Sequence, residues 1–231
     1  MDIAKSVIVI TAAGTPTGRA MAEHFCRLNA RVALVDTDSS NLQTTYENCL
    51  KVGGICYSFY LANRSVENIS HLFTEVNREM GAVDVLINYW QAGGGGVPSL
   101  LASNTVVDQT IADQTIADVA SNLYLFGRGA AINMLDCGRK GVIVNIPGLG
   151  AANEASLNLD SSNAVIRGLT QSWAQELEHA NIRVGGVLPR MRHYDNGMVH
   201  YHSAINYDMI DGAAYIVEND SFTGRILEAA S

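Results

Sequence analysis

Apolar residues along the chain follow two alternating patterns: short continuous runs, and longer stretches with apolar positions every three or four residues. The short runs predict buried strands and the longer stretches predict amphipathic helices. Strands are predicted at 7–10, 31–35, 55–60, 83–88, 141–146, 182–188 and 221–228. Helices are predicted at 19–29, 41–52, 65–79, 115–136, 161–179 and 208–217. This alternation predicts a single α/β domain over residues 1–231, with a doubly wound parallel sheet in a three-layer αβα arrangement.

Composition limits the classes of protein that fit this pattern. Apolar residues make up 48% of the 231 residues, which suits a parallel sheet buried on both faces. A formal net charge of −8 argues against nucleic-acid binding through a basic surface. No apolar run approaches the roughly 18 residues of a membrane span, and the chain enters its first strand without a signal-peptide pattern. The sequence therefore predicts a cytoplasmic protein that does not bind membranes.

Two sets of residues could in principle bind a metal. The four cysteines are Cys26, Cys49, Cys56 and Cys137. They lack C-x-x-C spacing and fall inside regular elements, so we expect reduced, buried thiols rather than a metal or redox site. His200 and His202 could share one face of a strand, but no carboxylate at a suitable spacing accompanies them, which favours a polar surface loop. No metal site is predicted.

The stretch Val7 to Arg19, VIVITAAGTPTGR, leads from an apolar strand through a turn of small residues directly into a helix. That arrangement opens a Rossmann-type dinucleotide-binding unit, in which the pyrophosphate of the cofactor lies at the helix N-terminus. Asp36 follows the second predicted strand, about 20 positions after the turn, where an acidic residue binds the adenosine ribose and disfavours a 2′-phosphate. Asp36 therefore favours NAD over NADP, if a nucleotide binds. The alternative is that Asp36 caps the helix that starts near Ser39.

The spacing of this turn resembles that of the short-chain dehydrogenase/reductase family, whose turn reads T-G-x-x-x-G-x-G. Thr11 and Gly18 match the pattern, whereas Ala12 and Pro16 stand where the family has glycines. A Cβ at residue 12 is tolerable only if the backbone avoids positive φ. Pro16 has no N–H, so it removes a donor where the pyrophosphate would lie, although Thr15 followed by Pro16 is a favourable helix start.

Other positions that bind the cofactor in the family also differ here. Leu61 stands where relatives have an aspartate that contacts the adenine. The family's N-N-A-G after the fourth strand becomes Asn88-Tyr89-Trp90-Gln91, so two bulky aromatic residues replace small ones beside the ribose. The vestigial cofactor-binding residues that the resemblance implies are Gly14, Gly18, Asp36 and Asn88. We expect this chain to bind no cofactor itself.

Active members of the family use a Tyr as acid/base, a Lys four residues later, a Ser that positions the carbonyl, and an Asn on the fourth helix. Aligned on this chain, the Ser, Tyr and Lys positions hold Gly148, Leu159 and Asn163, and only Asn122 is retained. A second argument does not depend on the alignment. The three lysines are Lys5, Lys51 and Lys140, and no tyrosine lies between Tyr124 and Tyr194. The proton-transfer pair is therefore absent, and we expect the chain to be inactive in the family's usual reaction.

A relocated acid/base group is an alternative to inactivity. Tyr124 and Arg128 form a Y-x-x-x-R pair like that of the family's dehalogenating relatives, but on the fourth helix rather than the fifth, where they more readily face a partner helix. Tyr194 and Tyr201 lie in the segment 190–206, which is short for a substrate lid. A tyrosine of this segment is the other residue that could serve as acid/base.

The resemblance implies a role in assembly. Members of the family dimerise through their fourth and fifth helices, and inactive subunits are known to pair with active homologues. The apolar residues that could form this interface are Val119, Leu123, Phe126 and Met134 on the fourth helix, with Val165, Leu169 and Trp173 on the fifth; the alternative is that about half of them belong to the core. We expect a non-catalytic subunit of an NAD-dependent, hydroxyacyl-CoA type dehydrogenase, in a heterotetramer whose NAD is bound by the homologous partner. The alternative is a free-standing sensor of NAD or another ligand.

Overall fold

The computed structural model describes residues 1–90, 109–148, 155–189 and 207–229, with side chains for all of these except 90, 109–119 and 155–162. The strands are β1 (Val7–Thr11), β2 (Arg31–Asp36), β3 (Ile55–Tyr60), β4 (Val85–Trp90), β5 (Val142–Pro147), β6 (Arg183–Pro189) and β7 (Ile226–Ala229). The helices are α1 (Pro16–Arg27), α2 (Ser39–Lys51), α3 (Val66–Met80), α4 (Gln109–Asp136), α5 (Ala155–Glu176) and α6 (Tyr207–Glu218). Together they form the alternating α/β fold that the sequence predicts.

The seven strands form one parallel sheet in the order β3-β2-β1-β4-β5-β6-β7. The chain builds the sheet outward from β1 in one direction, then returns to the other side of β1 with β4. The carboxyl ends of β1 and β4 are therefore the point at which the strand order reverses, where open α/β sheets bind their ligands. Thr11 ends β1 at this point, and its hydroxyl donates to the carbonyl oxygen of Tyr89 in β4 at 2.6 Å.

Alternation along each strand separates two apolar cores, one on each face of the sheet. In β1, Ile8 and Ile10 belong to the core under α1, α2 and α6. Val7 and Val9 belong to the core under α3, α4 and α5. Both faces of the central strands are covered, which explains why their sequences are continuous apolar runs, whereas β3 at the edge of the sheet is largely exposed.

Short polar side chains fix the starts of the first three helices. Thr15, Asp38 and Ser65 are the N-caps of α1, α2 and α3, and each accepts a hydrogen bond from the backbone N–H three residues later. The predicted start with Thr15 as cap and Pro16 at the first helical position is confirmed. The sequence placed the starts of α4 and α5 about six residues too late, because their first turns lack a clear apolar stripe.

The helix α6 is held at its C-terminal end by Arg183 from β6. The guanidinium donates to the carbonyl oxygens of Ile216, Val217 and Phe222 at 2.9 to 3.0 Å. The carbonyls of Ile216 and Val217 are among those that a helix end leaves without partners, and Phe222 follows the helix. Within the described ranges, no helix is long and apolar enough to cross a bilayer.

Candidate functional site

The turn between β1 and α1 holds Ala12 at φ +50°, in the left-handed region that glycine adopts without cost. From the sequence, a Cβ at residue 12 is expected to be tolerable only at negative φ. The observed φ of Ala12 is positive, so that condition is not met. Hydrogen bonds on both sides impose the conformation. The Ala13 N–H donates to the Val35 carbonyl at 3.0 Å, and the Thr15 hydroxyl donates to the Ala12 carbonyl at 2.7 Å. The turn therefore keeps the backbone path of a glycine turn, with strain at Ala12.

Backbone donors of this turn are bonded within the protein. The Gly14 N–H donates to the Asp36 carboxylate at 2.7 Å, and the Gly18 N–H donates to the hydroxyl of Thr15 at 3.1 Å. Pro16, between them, has no N–H to donate. A pyrophosphate at a helix N-terminus is held by such N–H groups. To bind a pyrophosphate, this turn would have to give up hydrogen bonds that it already makes within the protein.

The Asp36 carboxylate joins the turn to the end of β2. One of its oxygens accepts from Gly14, and the other accepts from the N–H groups of Thr37 at 2.6 Å and Asp38 at 3.0 Å. The N-cap of α2 is Asp38, which accepts from the Asn41 N–H at 2.9 Å, so the alternative that Asp36 caps this helix is wrong. The hydrogen bond from Asn41 lowers the pKa of the Asp38 carboxyl. A ribose at Asp36 would share the carboxylate with three backbone donors.

Close packing between α1 and the end of β1 requires a glycine at residue 18. A Cβ on Gly18 would overlap the carbonyl oxygen of Ala12 and come within 2.9 Å of the Ala13 Cα. The helix α1 therefore approaches the end of β1 as closely as glycine allows, which is the third role of glycine in dinucleotide-binding turns. Gly18 is required for this packing whether or not a cofactor binds.

Buried amides connect the sheet to α4 and α5. The Asn88 side chain donates to the carbonyl of Leu123 in α4 at 2.9 Å and to the Asn145 side-chain oxygen at 3.0 Å. The Asn145 amide in turn donates to the hydroxyl of Thr170 in α5 at 3.2 Å. We call Asn88, Asn145 and Thr170 the amide ladder. Sequence reasoning identified Asn88 alone; the polar Asn145 inside an apolar strand was the signal for the rest.

Tyr89 points into the core rather than into the cleft. It is among the largest fully buried side chains, and it packs in the core that contains Ile10 and Ala13. Its place follows from strand alternation, since Val85 and Ile87 face the same core. The prediction that Tyr89 takes room from the ribose is therefore wrong, whereas the side chain of Trp90 lies outside the described residues.

Leu61, after β3, is buried and belongs to the core on the α3 side of the sheet. Its backbone N–H donates to the Asp36 carbonyl at 2.9 Å. An apolar side chain in this place offers an adenine no polar contact. Leu61 therefore contributes to the core where the family's aspartate would contact the cofactor.

The four catalytic positions lie on the elements that the resemblance implies. Gly148 follows the end of β5, and Leu159 and Asn163 lie one turn apart on α5. The Asn163 side-chain oxygen is buried and has no hydrogen-bond partner among the described residues, and Asn122 is buried on α4. The side chain of Leu159 lies outside the described residues. No residue at these described positions carries the phenol or the ammonium group on which the family's proton transfer depends.

The apolar residues of α4 divide between core and surface. Leu123, Phe126 and Met134 are buried in the chain's own core, as is Trp173 of α5. These four are therefore core residues, as the alternative expects for about half of the set. Val165 and Leu169 are partly buried against the same core, and the side chain of Val119 lies outside the described residues.

Another set of α4 residues faces outward. Its members are exposed and three or four positions apart, so they share one face of the helix. They are Tyr124, Arg128, Ile132 and Leu135. We call them the α4 stripe. At the N-terminal end of the stripe, the Tyr124 ring contacts the ring of Trp173, with centroids 6.5 Å apart.

Predictions about the remaining residues have mixed outcomes. Cys26, Cys49 and Cys56 are buried free thiols, as expected, whereas Cys137 is exposed just beyond the end of α4. The predicted burial of Cys137 is therefore wrong. The positions that fall outside the described residues include Gln91, Tyr194, His200, Tyr201 and His202.

Comparison with known proteins identifies relatives of the whole fold. The family described as short chain dehydrogenase matches residues 6–199. The chain is 30% identical to estradiol 17-beta-dehydrogenase 11 of Rattus norvegicus over 87 residues, which are 38% of this chain and 29% of that protein. It is 28% identical to a probable galactose dehydrogenase of Rhizobium meliloti over 196 residues, 82% of this chain and 73% of that protein. A short-chain type dehydrogenase/reductase from Mycobacterium marinum superposes with a TM-score of 0.78 at 21% identity, covering 99% of this chain and 95% of the other.

Proposed function

Since this chain belongs to the short-chain dehydrogenase/reductase family, we propose that it is a non-catalytic subunit of a hetero-oligomeric member of that family. In this proposal a homologous partner supplies the catalytic residues and the NAD. The assembly oxidises or reduces a hydroxyacyl-CoA type alcohol. The chain itself contributes structure or regulation to a cytoplasmic heterotetramer.

The observation that carries the proposal is the absence of the proton-transfer pair. No lysine follows Lys140, and no tyrosine lies between Tyr124 and Tyr194, in whatever register the chain is aligned. General acid–base catalysis contributes about 10²–10⁴-fold to such reactions. A leucine at residue 159 has no proton to transfer, and an asparagine at residue 163 has no charge to stabilise a tyrosinate.

The hydrogen bonds of the turn support the assignment of NAD to the partner. Gly14 and Gly18 donate to Asp36 and Thr15, and Pro16 donates nothing. A cofactor phosphate would have to displace these bonds, and each protein hydrogen bond lost costs about 1 kcal/mol net. The family scaffold is thus retained while donors that the phosphates require are committed elsewhere.

The α4 stripe supports pairing through this helix. Tyr124, Ile132 and Leu135 expose apolar surface in one row along α4, beside Arg128. Aromatic residues and arginine are enriched where protein surfaces associate. A homologous partner has a fourth helix of similar shape, which can pack on this row.

The combination of a lost site with a short segment 190–206 resembles the inactive subunit of one known assembly. That assembly is the two-subunit 2-(hydroxy(phenyl)methyl)succinyl-CoA dehydrogenase of anaerobic toluene breakdown. The most specific part of this proposal is therefore the substrate, 2-(hydroxy(phenyl)methyl)succinyl-CoA. It is tested by assaying the co-purified complex with this acyl-CoA.

Co-expression with an intact family member encoded beside it tests the subunit assignment. We expect the two chains to co-purify in a fixed ratio, with turnover in the complex and none in this chain alone. Two separate homo-oligomers, or turnover by this chain by itself, would contradict the proposal.

Two matched variants locate the interface. Leu135 and Leu50 are each 49% exposed and penultimate in their helices, α4 and α2. We expect Leu135→Lys to reduce recovery of the complex at least about fivefold, because a buried unpaired charge weakens an interface by 1 kcal/mol or more. Leu50→Lys, on the opposite face of the sheet, should leave recovery unchanged. Equal effects of the two variants would place the partner elsewhere.

A free-standing NAD sensor is the second candidate. It is favoured by Asp36 at the end of β2 and by the left-handed backbone of Ala12, both of which match a nucleotide-binding turn. Calorimetric titration of the isolated chain with NAD distinguishes the two. The subunit proposal expects no heat of binding at NAD concentrations that saturate an intact family member, and the sensor expects a saturable heat.

A further inference from the structure

Three of the four cysteines meet at one place in the fold. Cys26 lies in the last turn of α1, Cys49 in the last turn of α2, and Cys56 in β3. All three are buried free thiols in the core beneath α1 and α2. They are 23 and 7 positions apart in sequence, so their proximity comes from the packing of the two helices on the edge of the sheet.

The three thiols are close enough for each one to shift the pKa of the other two. Gly54 leaves room for the Cys26 sulfur, because a Cβ on Gly54 would lie 2.5 Å from that atom. The Cys56 sulfur also lies 3.9 Å from the carbonyl oxygen of Tyr46. The exposed Cys137 is distant in the fold, since it follows α4 on the other face of the sheet.

The three thiols are chemically unequal. Interactions with Cys26 and Cys49 lower the pKa of Cys56 to about 4. For Cys26, the interaction with Cys49 lowers the pKa, but the interaction with Cys56 and burial outweigh it and raise the pKa to about 12. Interactions with Cys26 and Cys56, together with burial, raise the pKa of Cys49 well above its usual range. Cys56 is therefore the most acidic thiol of the cluster.

Access also singles out Cys56. It is 6% exposed, against 2% for Cys26 and none for Cys49. It lies on β3, the edge strand of the sheet, between Ile55 and Tyr57, both of which are exposed. Cys56 is thus the most exposed residue of the cluster, on a strand whose outer edge carries no neighbouring strand among the described residues.

We propose that Cys56 is a peroxide-oxidisable thiol that Cys26 resolves into a disulfide between β3 and α1. The Cys56 thiolate attacks one oxygen of hydrogen peroxide, forming an S–O bond as the O–O bond breaks; the departing hydroxide takes a proton and leaves as water. The Cys26 sulfur then attacks the sulfenic sulfur, an S–S bond forms, and the hydroxyl leaves as water with the Cys26 proton. In sum, two thiols and one peroxide give one disulfide and two waters, and two electrons pass from sulfur to oxygen.

Geometry assigns the second step to Cys26. Its sulfur packs against Gly54, which is two residues before Cys56 on the backbone that enters β3, whereas Cys49 approaches Gly54 with its carbonyl oxygen. The Cys26–Cys56 bond closes a loop of about 30 residues, and restricting such a loop in the unfolded chain stabilises the folded one. We expect oxidation to raise the Tm by roughly 5 °C.

The test uses the full chain with Cys137→Ser, which removes the exposed thiol. The reduced protein is treated with hydrogen peroxide, alkylated under denaturing conditions and weighed intact. We expect a loss of about 2 Da, one alkylated cysteine, and full reversal by dithiothreitol. Peptide mapping should recover residues 26 and 56 in one linked species.

Three further variants separate the roles of the thiols. Cys49→Ala should retain the disulfide. Cys26→Ala should lose it and accumulate a sulfenic acid at Cys56 that dimedone traps. Cys56→Ser should show neither product at the same peroxide dose, with circular dichroism confirming that each variant is folded.

Several outcomes would overturn the proposal. They are three free thiols after peroxide treatment, a sulfinic acid formed without any disulfide, and a linked peptide that contains Cys49 in place of Cys26. The mass measurement is made with Cys26, Cys49 and Cys56 all present. The proposal can therefore be refuted even if one of the three further variants fails to fold.

Discussion

The turn between β1 and α1 and the amide ladder lie at the same carboxyl edge of the sheet, yet they have responded differently to sequence change. In the ladder, Asn88 and Asn145 match donors with acceptors in a buried, unstrained arrangement. In the turn, Ala12 is held at positive φ and Pro16 supplies no N–H. Both regions are folded and internally hydrogen-bonded, but only the turn shows a cost.

The difference separates residues kept for the fold from residues kept for a ligand. Asn88 stays because removing it would leave the buried Asn145 side-chain oxygen without its donor and take a second donor from a carbonyl of α4, and unpaired buried groups are costly. Gly18 stays because α1 packs too closely for a Cβ. Neither residue therefore indicates a bound cofactor. The replacements at Ala12 and Pro16 affect the groups that a phosphate needs, and they carry the functional information.

The largest expected effect follows from the closest contact in the turn. Gly18→Ala should lower the free energy of unfolding by about 3 kcal/mol, because the new Cβ overlaps the Ala12 carbonyl and α1 must move away. Urea denaturation measures it. Gly168→Ala is the control: it lies on α5 with open space around it, and should stabilise by about 0.5–1 kcal/mol through helix propensity. A neutral Gly18→Ala would show that the packing is looser than described.

Breaking the ladder should have the next largest effect. Asn88→Ala leaves the buried Asn145 side-chain oxygen unpaired and removes the second donor to the Leu123 carbonyl, and we expect a loss of about 2 kcal/mol. Thr170→Val, which conserves shape and removes only the last acceptor, should cost about 1 kcal/mol. If the two variants cost the same in chemical denaturation, Asn88 does not anchor the ladder.

Relieving the backbone strain at Ala12 should stabilise the protein, unlike the two changes above. Ala12→Gly removes a left-handed alanine, worth about 1–2 kcal/mol, against a backbone entropy cost of about 0.5–1 kcal/mol. We expect a net gain of about 0.5–1 kcal/mol in thermal or urea unfolding. Ala13→Gly, in the same turn but without positive φ, should destabilise, and a gain in both variants would mean that strain at Ala12 is not the cause.

The last prediction concerns ligand affinity rather than stability. The double variant Ala12→Gly/Pro16→Gly restores one backbone N–H at the start of α1, and one such bond to a phosphate is worth about 1.4 kcal/mol, or a tenfold gain in affinity. Calorimetry with NAD measures the gain relative to wild type. The single variant Ala12→Gly is the control, because it changes the strain without adding a donor.

Much of the fold could be predicted from the sequence because strand and helix periods are local properties. The strand Ile55–Tyr60 and the cap at Thr15 were predicted to the residue. The outward face of α4 was not, because an apolar stripe looks the same whether it faces the chain's own sheet or a partner. Leu123 and Met134 were therefore named as interface candidates although they are core residues, and the exposed Ile132 and Leu135 were not named.

The features of the candidate site that depend on residue type could be predicted from the sequence. The features that depend on where a side chain points were harder to predict. The missing Tyr and Lys are visible in any register. The side of the sheet that Tyr89 faces follows from alternation with Val85 and Ile87, a signal that the sequence contained. The meeting of Cys26, Cys49 and Cys56 depends on how two helices pack on one edge strand, and no spacing along the chain encodes it.

The anchoring of α6 by Arg183 has a consequence for synthesis on the ribosome. Met209, Ile210 and Ala213 cover the same face of the sheet as α1, and α6 contacts β5, β6 and β7. While the chain emerges, this face of the central strands is exposed until residues 207–218 have left the exit tunnel. Until then we expect the nascent chain to expose apolar surface of the kind that promotes aggregation and that chaperones protect. The guanidinium of Arg183, already in place on β6, then supplies the hydrogen-bond donors that receive the end of the helix.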